Sequence, residues 1–278
     1  MDLKRTVLWS PTLGDAPFEA RVQAAADNGY PVLSASPVDV QDAIDRGQDP
    51  LDQRRWAEEL GVGLPLMDGF ADWYPHRIPK HSPMPPFDLE QFMALAVAFE
   101  VSTVVVVAPF KTDASIDAVT EGFADFCDRA ALDGLAVALE FTPIPPVNSV
   151  AIAHKVLRDA GRPNTSIIFD IWHFFQGTPD FDALEAVPHG MITKSQVSDG
   201  FVGQFQESLV KDTFRHRLLP GQGNFELERV LRILDRKGAL EMCGPEILST
   251  ELLAMTPTAA AAVVAKSFDE LADRLGAS

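Results

Sequence analysis

The chain has 278 residues, 46% of them hydrophobic, enough to bury a sizeable core and to exclude a largely disordered chain. Its 40 acidic and 23 basic side chains leave a formal net charge of −17, which argues against nucleic-acid and membrane-surface partners. The two cysteines, Cys127 and Cys243, have no CxxC spacing and read as reduced core thiols, neither a disulfide framework nor a zinc knuckle.

Short apolar runs alternate with longer stretches of helical period along the whole chain. The runs predict strands at Val7 to Ser10, Pro31 to Ala35, Val62 to Asp68, Ser102 to Ala108, Ala136 to Phe141, Ser166 to Asp170, Met191 to Val197 and Pro245 to Ser249. Helices are predicted between and after them at Phe18 to Asn28, Leu51 to Leu60, Leu89 to Phe99, Ile116 to Leu132, Val150 to Ala160, Phe225 to Lys237 and Thr258 to Leu275. Strands such as Val104 to Val107 are apolar on both faces, as in a parallel sheet covered by helices. Eight strand–helix units in a chain of this length predict a single (β/α)₈ barrel, an α/β fold spanning residues 1–278. No GxGxxG follows the first strand, so an open dinucleotide-binding sheet is disfavoured. The Pro-rich stretch from Pro75 to Pro86 reads as a long loop on the active face. No apolar signal core follows Met1 to Arg5, and the longest apolar runs fall short of a membrane span; the expectation is a cytoplasmic protein.

Chemistry in such a barrel gathers at the C-terminal strand ends. Glu140 ends the fifth strand, Asp170 the sixth, Gln196 lies near the end of the seventh, and Glu246 lies on the eighth. Three carboxylates at one mouth repel by roughly 4 kcal/mol per pair at an effective dielectric near 20, a cost that a divalent cation or protonation removes. Three acid oxygens plus one amide oxygen form a hard ligand set suited to Mn²⁺ or Mg²⁺, with Co²⁺ or Zn²⁺ as lesser fits. Each acid taken singly could instead cap the following helix; four on consecutive strands fit that explanation poorly.

These residues stand in motifs that resemble the sugar phosphate isomerase/epimerase family of xylose-isomerase-like TIM barrels. The resemblance is carried by Leu139-Glu140, Phe169-Asp170-Ile171-Trp172-His173, Gln196-Val197-Ser198-Asp199, Arg217 to Gly223 and Gly244 to Ser249. It implies that Glu140, Asp170, Gln196 and Glu246 hold a metal, the third position being His in many relatives and Gln in others. It also implies that His173 and Arg217 bind substrate, with Trp172 beside them. Lys194 departs from the pattern, since relatives often carry His or an apolar residue there.

The implied activity is isomerisation or epimerisation of a sugar, polyol or keto-sugar by proton transfer through a metal-stabilised enediolate. Glu140 and Glu246 would exchange the proton, His173 would relay it or orient a hydroxyl, and Lys194 would donate a proton or polarise a carbonyl. The plainer reading of Lys194 is an ion pair with Asp170 or Glu140. Trp9, Trp73, Phe110 and Trp172 are candidate pocket aromatics. The alternative activity is a dehydratase of the dehydroshikimate or inosose type, and a barrel that only binds a polyol is a third reading. The expected partner is a small polyhydroxylated molecule, with no nucleic acid or membrane; a homo-oligomer is left open.

Overall fold

The computed structural model describes residues 3–74, 87–108 and 114–276. In chain order the strands are β1 (Val7–Leu8), β2 (Val32–Leu33), β3 (Leu66–Phe70), β4 (Thr103–Val107), β5 (Ala136–Glu140), β6 (Thr165–Asp170), β7 (Ile192–Val197) and β8 (Met242–Pro245). The helices are α1 (Phe18–Asp27), α2 (Pro37–Asp45), α3 (Pro50–Glu59), α4 (Leu89–Ala98), α5 (Ile116–Leu132), α6 (Val150–Ala160), α7 (Ile171–Gln176), α8 (Phe181–Ala186), α9 (Leu209–Arg215), α10 (Leu227–Arg236), α11 (Thr250–Leu253) and α12 (Pro257–Gly276).

Strands β3 to β8 pair in order, each parallel to the next, and β1 pairs parallel with β2. Backbone hydrogen bonds close both remaining seams. Thr6 N donates to Cys243 O at 2.8 Å and Trp9 N to Pro245 O at 3.4 Å, joining β1 to β8. Ala35 N donates to Leu66 O and Asp68 N to Ala35 O, both at 2.9 Å, joining the end of β2 to β3. The strands therefore form one closed parallel barrel, as the alternating pattern predicts. Closure demands a glycine at one point: a Cβ on Gly244 would lie 1.7 Å from the Val7 carbonyl oxygen.

Inside the barrel, Val7, Trp9, Leu66, Val105, Ala138 and Ile168 form a small buried layer of their own. A much larger apolar layer lies between strands and helices. Helix α6 shows how the sequence builds that outer layer. Ser149 caps it by accepting from Ile152 N, and Gly161, at φ 64°, closes it in the left-handed conformation. Val150, Ala153, Val156, Leu157 and Ala160 then fall on one buried stripe. Burial of each larger side chain there contributes roughly 1.5–3 kcal/mol.

Three sequence expectations shift. The first two strands are shorter than predicted, and the eighth is Met242–Pro245, not Pro245 to Ser249. Proline cannot donate to a ladder and was read as a strand start; here it ends β8 and serves as an acceptor for Trp9. Glu246 consequently sits one residue beyond the strand. The short helices α2, α7, α8, α9 and α11 were not foreseen, because one or two turns leave too little periodicity to read. The stretch from Pro75 to Pro86 and Phe110 lie outside the described residues. Among the described residues, no helix is long and apolar enough to cross a membrane.

Candidate active site

The period-two alternation of each strand sends its terminal polar residue into the barrel mouth. Register aligns Val107 with Glu140 and Asp170 with Gln196 across the parallel ladder. Glu246 N bonds Val197 O at 3.1 Å, which seats its side chain beside that of Gln196. Glu140, Asp170, Gln196 and Glu246 are all buried, with Asp170 fully so.

Arg217 knits this set together. Its Nη1 donates to Asp170 Oδ2 at 2.8 Å and to Glu246 Oε2 at 2.9 Å, while its Nε donates to Thr213 O at 2.9 Å. Gln196 Nε2 donates to Glu246 Oε1 at 2.9 Å, leaving Gln196 Oε1 buried with no partner. His173 Nε2 lies 3.2 Å from Glu140 Oε1 and 3.4 Å from Asp170 Oδ2. Asp170 has two tasks. Its Oδ1 caps α7 by accepting from Trp172 N at 2.7 Å, and its Oδ2 faces Arg217 and His173.

The charges follow from that geometry. Burial pushes the Asp170 carboxyl up, but Arg217, His173 and the helix N–H groups outweigh it and hold Asp170 below its usual range. Burial also raises Glu246, and the carboxylates of Glu140, Asp170 and Asp68 add to it, so Arg217 does not bring it down. The same acids hold the Arg217 guanidinium charged despite its burial.

The arrangement fits a divalent cation by its donors. One ligand atom each from Glu140, Asp170 and His173 lies within 4.8 Å of the others. The unpartnered amide oxygen of Gln196 adds a hard donor beside Glu246. A cavity of about 990 Å³ opens above them, lined by Glu140, His173, Arg217 and Glu246 among others. It runs on toward the buried Arg21–Asp39 ion pair between α1 and α2.

Two predicted residues are placed elsewhere. Trp172 is buried in the wall behind the mouth. Its ring packs against Phe225, its Nε1 donates to Thr213 Oγ1 at 3.2 Å, and the Arg217 guanidinium lies 5.8 Å from its ring centre. Lys194 forms no ion pair with Asp170 or Glu140; its Nζ donates to Thr193 Oγ1 at 3.1 Å. The ladder between β6 and β7 shifts register at Ile167 and Ile168, so Ile192 and Lys194 pair with adjacent residues and Thr193 is the extra one. Burial alone pushes the Lys194 ammonium down to about 8. Trp9 and Trp73 are core residues, the latter donating to Val107 O at 2.7 Å.

Two residues of the site were missed. Asp68 ends the predicted third strand and points into the mouth; the rule that found Glu140 and Asp170 also picks it out. Burial and the charges of Glu140 and Asp170 push its carboxyl up to about 8, against the pull of Arg217. Asp199 accepts from the backbone N–H groups of Gly200, Gly221, Gly223 and Phe225 at 2.8–3.2 Å, pinning the loop that carries Arg217. Its signal is the Gly-Gln-Gly turn at 221–223, since a Cβ on Gly223 would lie 2.2 Å from Gly200 O.

With the geometry in place, similarity to known proteins narrows the setting. The inosose isomerase of Bacillus velezensis is 26% identical over 138 residues, a match covering 49% of this chain and 48% of the relative. This chain thus matches about half the length of that relative. The IOLI protein, whose crystal structure holds a zinc atom, superposes with a TM-score of 0.82 at 16% identity over 98% of this chain and 99% of its own. A D-psicose 3-epimerase solved in the presence of D-fructose gives 0.72 at 12% identity, covering 98% of this chain and 100% of its own. At these identities the two structures show a shared fold. The model of the xylose isomerase-like TIM barrel matches residues 22–272, and the chain belongs to that family.

Proposed function

We propose that the protein is a divalent-metal-dependent isomerase or epimerase acting on a sugar, polyol or keto-sugar. The observation that carries the reading is the unpartnered amide oxygen of Gln196, buried beside three carboxyl groups under an open cavity. An acceptor left unpaired in such a place costs stability unless a ligand completes it. The inosose isomerase and psicose epimerase relatives support the same substrate class.

In this reading Glu140, Asp170, Gln196 and Glu246 hold the ion. A bound divalent cation supplies Lewis acidity and offsets negative charge developing on substrate oxygens. Glu246 removes the proton from the carbon next to the carbonyl, and the C–H electron pair shifts toward the carbonyl oxygen. Glu140, from across the mouth, returns a proton to the opposite face or to the neighbouring carbon. His173, within 3.2 Å of Glu140, keeps that proton mobile. Arg217 holds Asp170 and Glu246 at a fixed separation and presents positive charge to the substrate's oxygens.

The test is to strip the protein of metal and reload it with Mn²⁺, Mg²⁺, Co²⁺ or Zn²⁺. Each form is then assayed with D-fructose, D-tagatose and inosose in D₂O. Isomerised product with deuterium at the reacting carbon is expected only in a metal-loaded form. Full turnover by the stripped protein would sink the proposal, and net loss of water would assign the dehydratase chemistry.

A further inference from the structure

Asp68 is the one member of the rim whose chemistry the proposed reaction does not use. It is buried, 9% exposed, and lines the cavity, yet its Oδ2 has no hydrogen-bond partner. Its backbone N–H is spent on Ala35 O, which fixes where the carboxyl points. A buried carboxyl with a structural duty is paired to a cation or to N–H groups. The nearest cation is Arg217, whose bonds are committed to Asp170, Glu246 and Thr213. Asp68 shares the mouth with the metal-type residues but comes from a strand that does not adjoin theirs. Strand β4 lies between β3 and β5 and brings the apolar Val107 to the same level. Two strand spacings set the β3 and β5 backbones about 10 Å apart. A six-carbon ring or ketose bound at the Glu140 side is long enough to present its far hydroxyl to Asp68.

We infer that Asp68 is a specificity-determining residue that hydrogen-bonds a substrate hydroxyl distal to the reacting carbons, and that the substrate is uncharged at that end. The inference rests on the polyol reading above and sharpens it. A hydroxyl both donates and accepts, so it satisfies a carboxyl whichever way its proton sits. A phosphate or carboxylate at that end would meet the Asp68 carboxyl with no cation bonded to it; the cavity's other arginines, Arg21 and Arg46, belong to α1 and the end of α2, and Arg21 is paired with Asp39. The site therefore selects free polyols over phosphorylated or carboxylated ones.

The inference is tested by calorimetric titration of the manganese-loaded protein with inosose, D-fructose, D-tagatose, their monodeoxy derivatives and D-fructose 6-phosphate. Wild type, Asp68→Ala and the near-isosteric Asp68→Asn are compared, with manganese content and melting temperature measured for each. Asp68→Ala should weaken a parent sugar about tenfold and leave one particular monodeoxy derivative within about twofold of wild type. Asp68→Asn should recover part of the loss, and both variants should keep full manganese content. Equal weakening of every analogue, loss of manganese from Asp68→Ala, or tighter wild-type binding of the phosphate than of D-fructose would overturn the inference. Polyol binding without proton exchange would remove the isomerase reading and leave the Asp68 comparison intact. A wild type that binds none of the probes would overturn both.

Discussion

The two halves of the barrel mouth are built from the same strand–helix repeat and carry opposite chemistry. Strands β5 to β8 bring Glu140, Asp170, Gln196 and Glu246 to the rim, bound together by Arg217 and His173. Across the mouth, β1 offers the buried Trp9, β4 offers Val107, and β3 offers a single unpaired carboxyl, Asp68. One half concentrates charge and ties its acids together through Arg217, leaving Gln196 Oε1 and His173 Nδ1 without partners; the other is largely apolar, with the Asp68 carboxyl and the Trp9 indole N–H left over. In a scaffold where every strand end has equal access to the cavity, the proposed reaction uses this division to separate groups that move protons from groups that read the substrate's shape. The sharpest way to break the comparison is to remove function from one half without touching the other.

The largest effect is expected from Glu246→Gln. Glutamine keeps an oxygen donor and its volume but lacks carboxylate basicity, so cation content should persist while substrate deuterium exchange falls by about 10² to 10⁴. Asp170→Asn should instead lose cation, because Asp170 is offered as a ligand without a proton-transfer duty; its Oδ1 cap of α7 survives in the amide. If Glu246→Gln exchanged deuterium at the wild-type rate, Glu246 would not be the base and the two-glutamate assignment would fail.

Closure of the two halves is itself testable. Gly244→Ala places a methyl group within bonding distance of Val7 O, where β8 meets β1. The backbone cannot give way without opening the seam, so a loss of roughly 3 kcal/mol in unfolding free energy is expected. Chemical denaturation of the variant checks it. Wild-type stability would mean the seam holds slack and that the rim's geometry is not set by closure.

Much of this was legible in the residues. Strands β4 to β6 are short, largely apolar runs, and the acids that end β5 and β6 stand out against valine, leucine and isoleucine. Glu140 and Asp170 were found for that reason. The ends of the chain's barrel were harder to place, because β1 and β2 are only two residues each and Gly244-Pro245 resembles a strand start more than a strand end. Direction was the other blind spot. Periodicity puts Lys194 and Gln196 on one face, but it does not say that the lysine's ammonium bonds its own neighbour Thr193 and no carboxylate, nor does it show the extra residue there. Asp170 reads from sequence as either a helix cap or a ligand; in the structure its two oxygens divide those duties.

A smaller effect belongs to the support beneath the charged half. Asp199→Ala frees four backbone N–H groups in the turn that leads from Arg217 back into the barrel wall. Glu140, Asp170, Gln196 and Glu246 lie outside that turn, so cation content should hold. A loosened turn should cost about 2 kcal/mol in stability and lower kcat several-fold, with KM rising as Arg217 wanders. A loss confined to stability, with both kinetic constants unchanged, would show that Asp199 orders the loop without positioning Arg217.

The smallest effect is expected at Lys194, and it tests where the boundary of the charged half lies. Its ammonium is buried with Thr193 as hydrogen-bond partner and has no carboxylate in ion-pair range among the described residues. Lys194→Met keeps the stem's length and removes the charge, so kcat and KM should each stay within about threefold of wild type. Stability carries a sign. Burial lowers this amine from 10.5 to about 8, so between those values the folded protein binds fewer protons than the unfolded chain, and wild-type stability rises as pH climbs through 8 toward 10.5. Below 8 the amine is charged in both states and the burial penalty is fully present. The melting temperature of Lys194→Met should therefore exceed wild type by a few degrees at pH 7, and the gap should close by pH 10. A hundredfold fall in kcat at unchanged stability would place the ammonium among the reacting groups after all, and the charged half would then extend one layer deeper into the barrel than the Thr193 contact indicates.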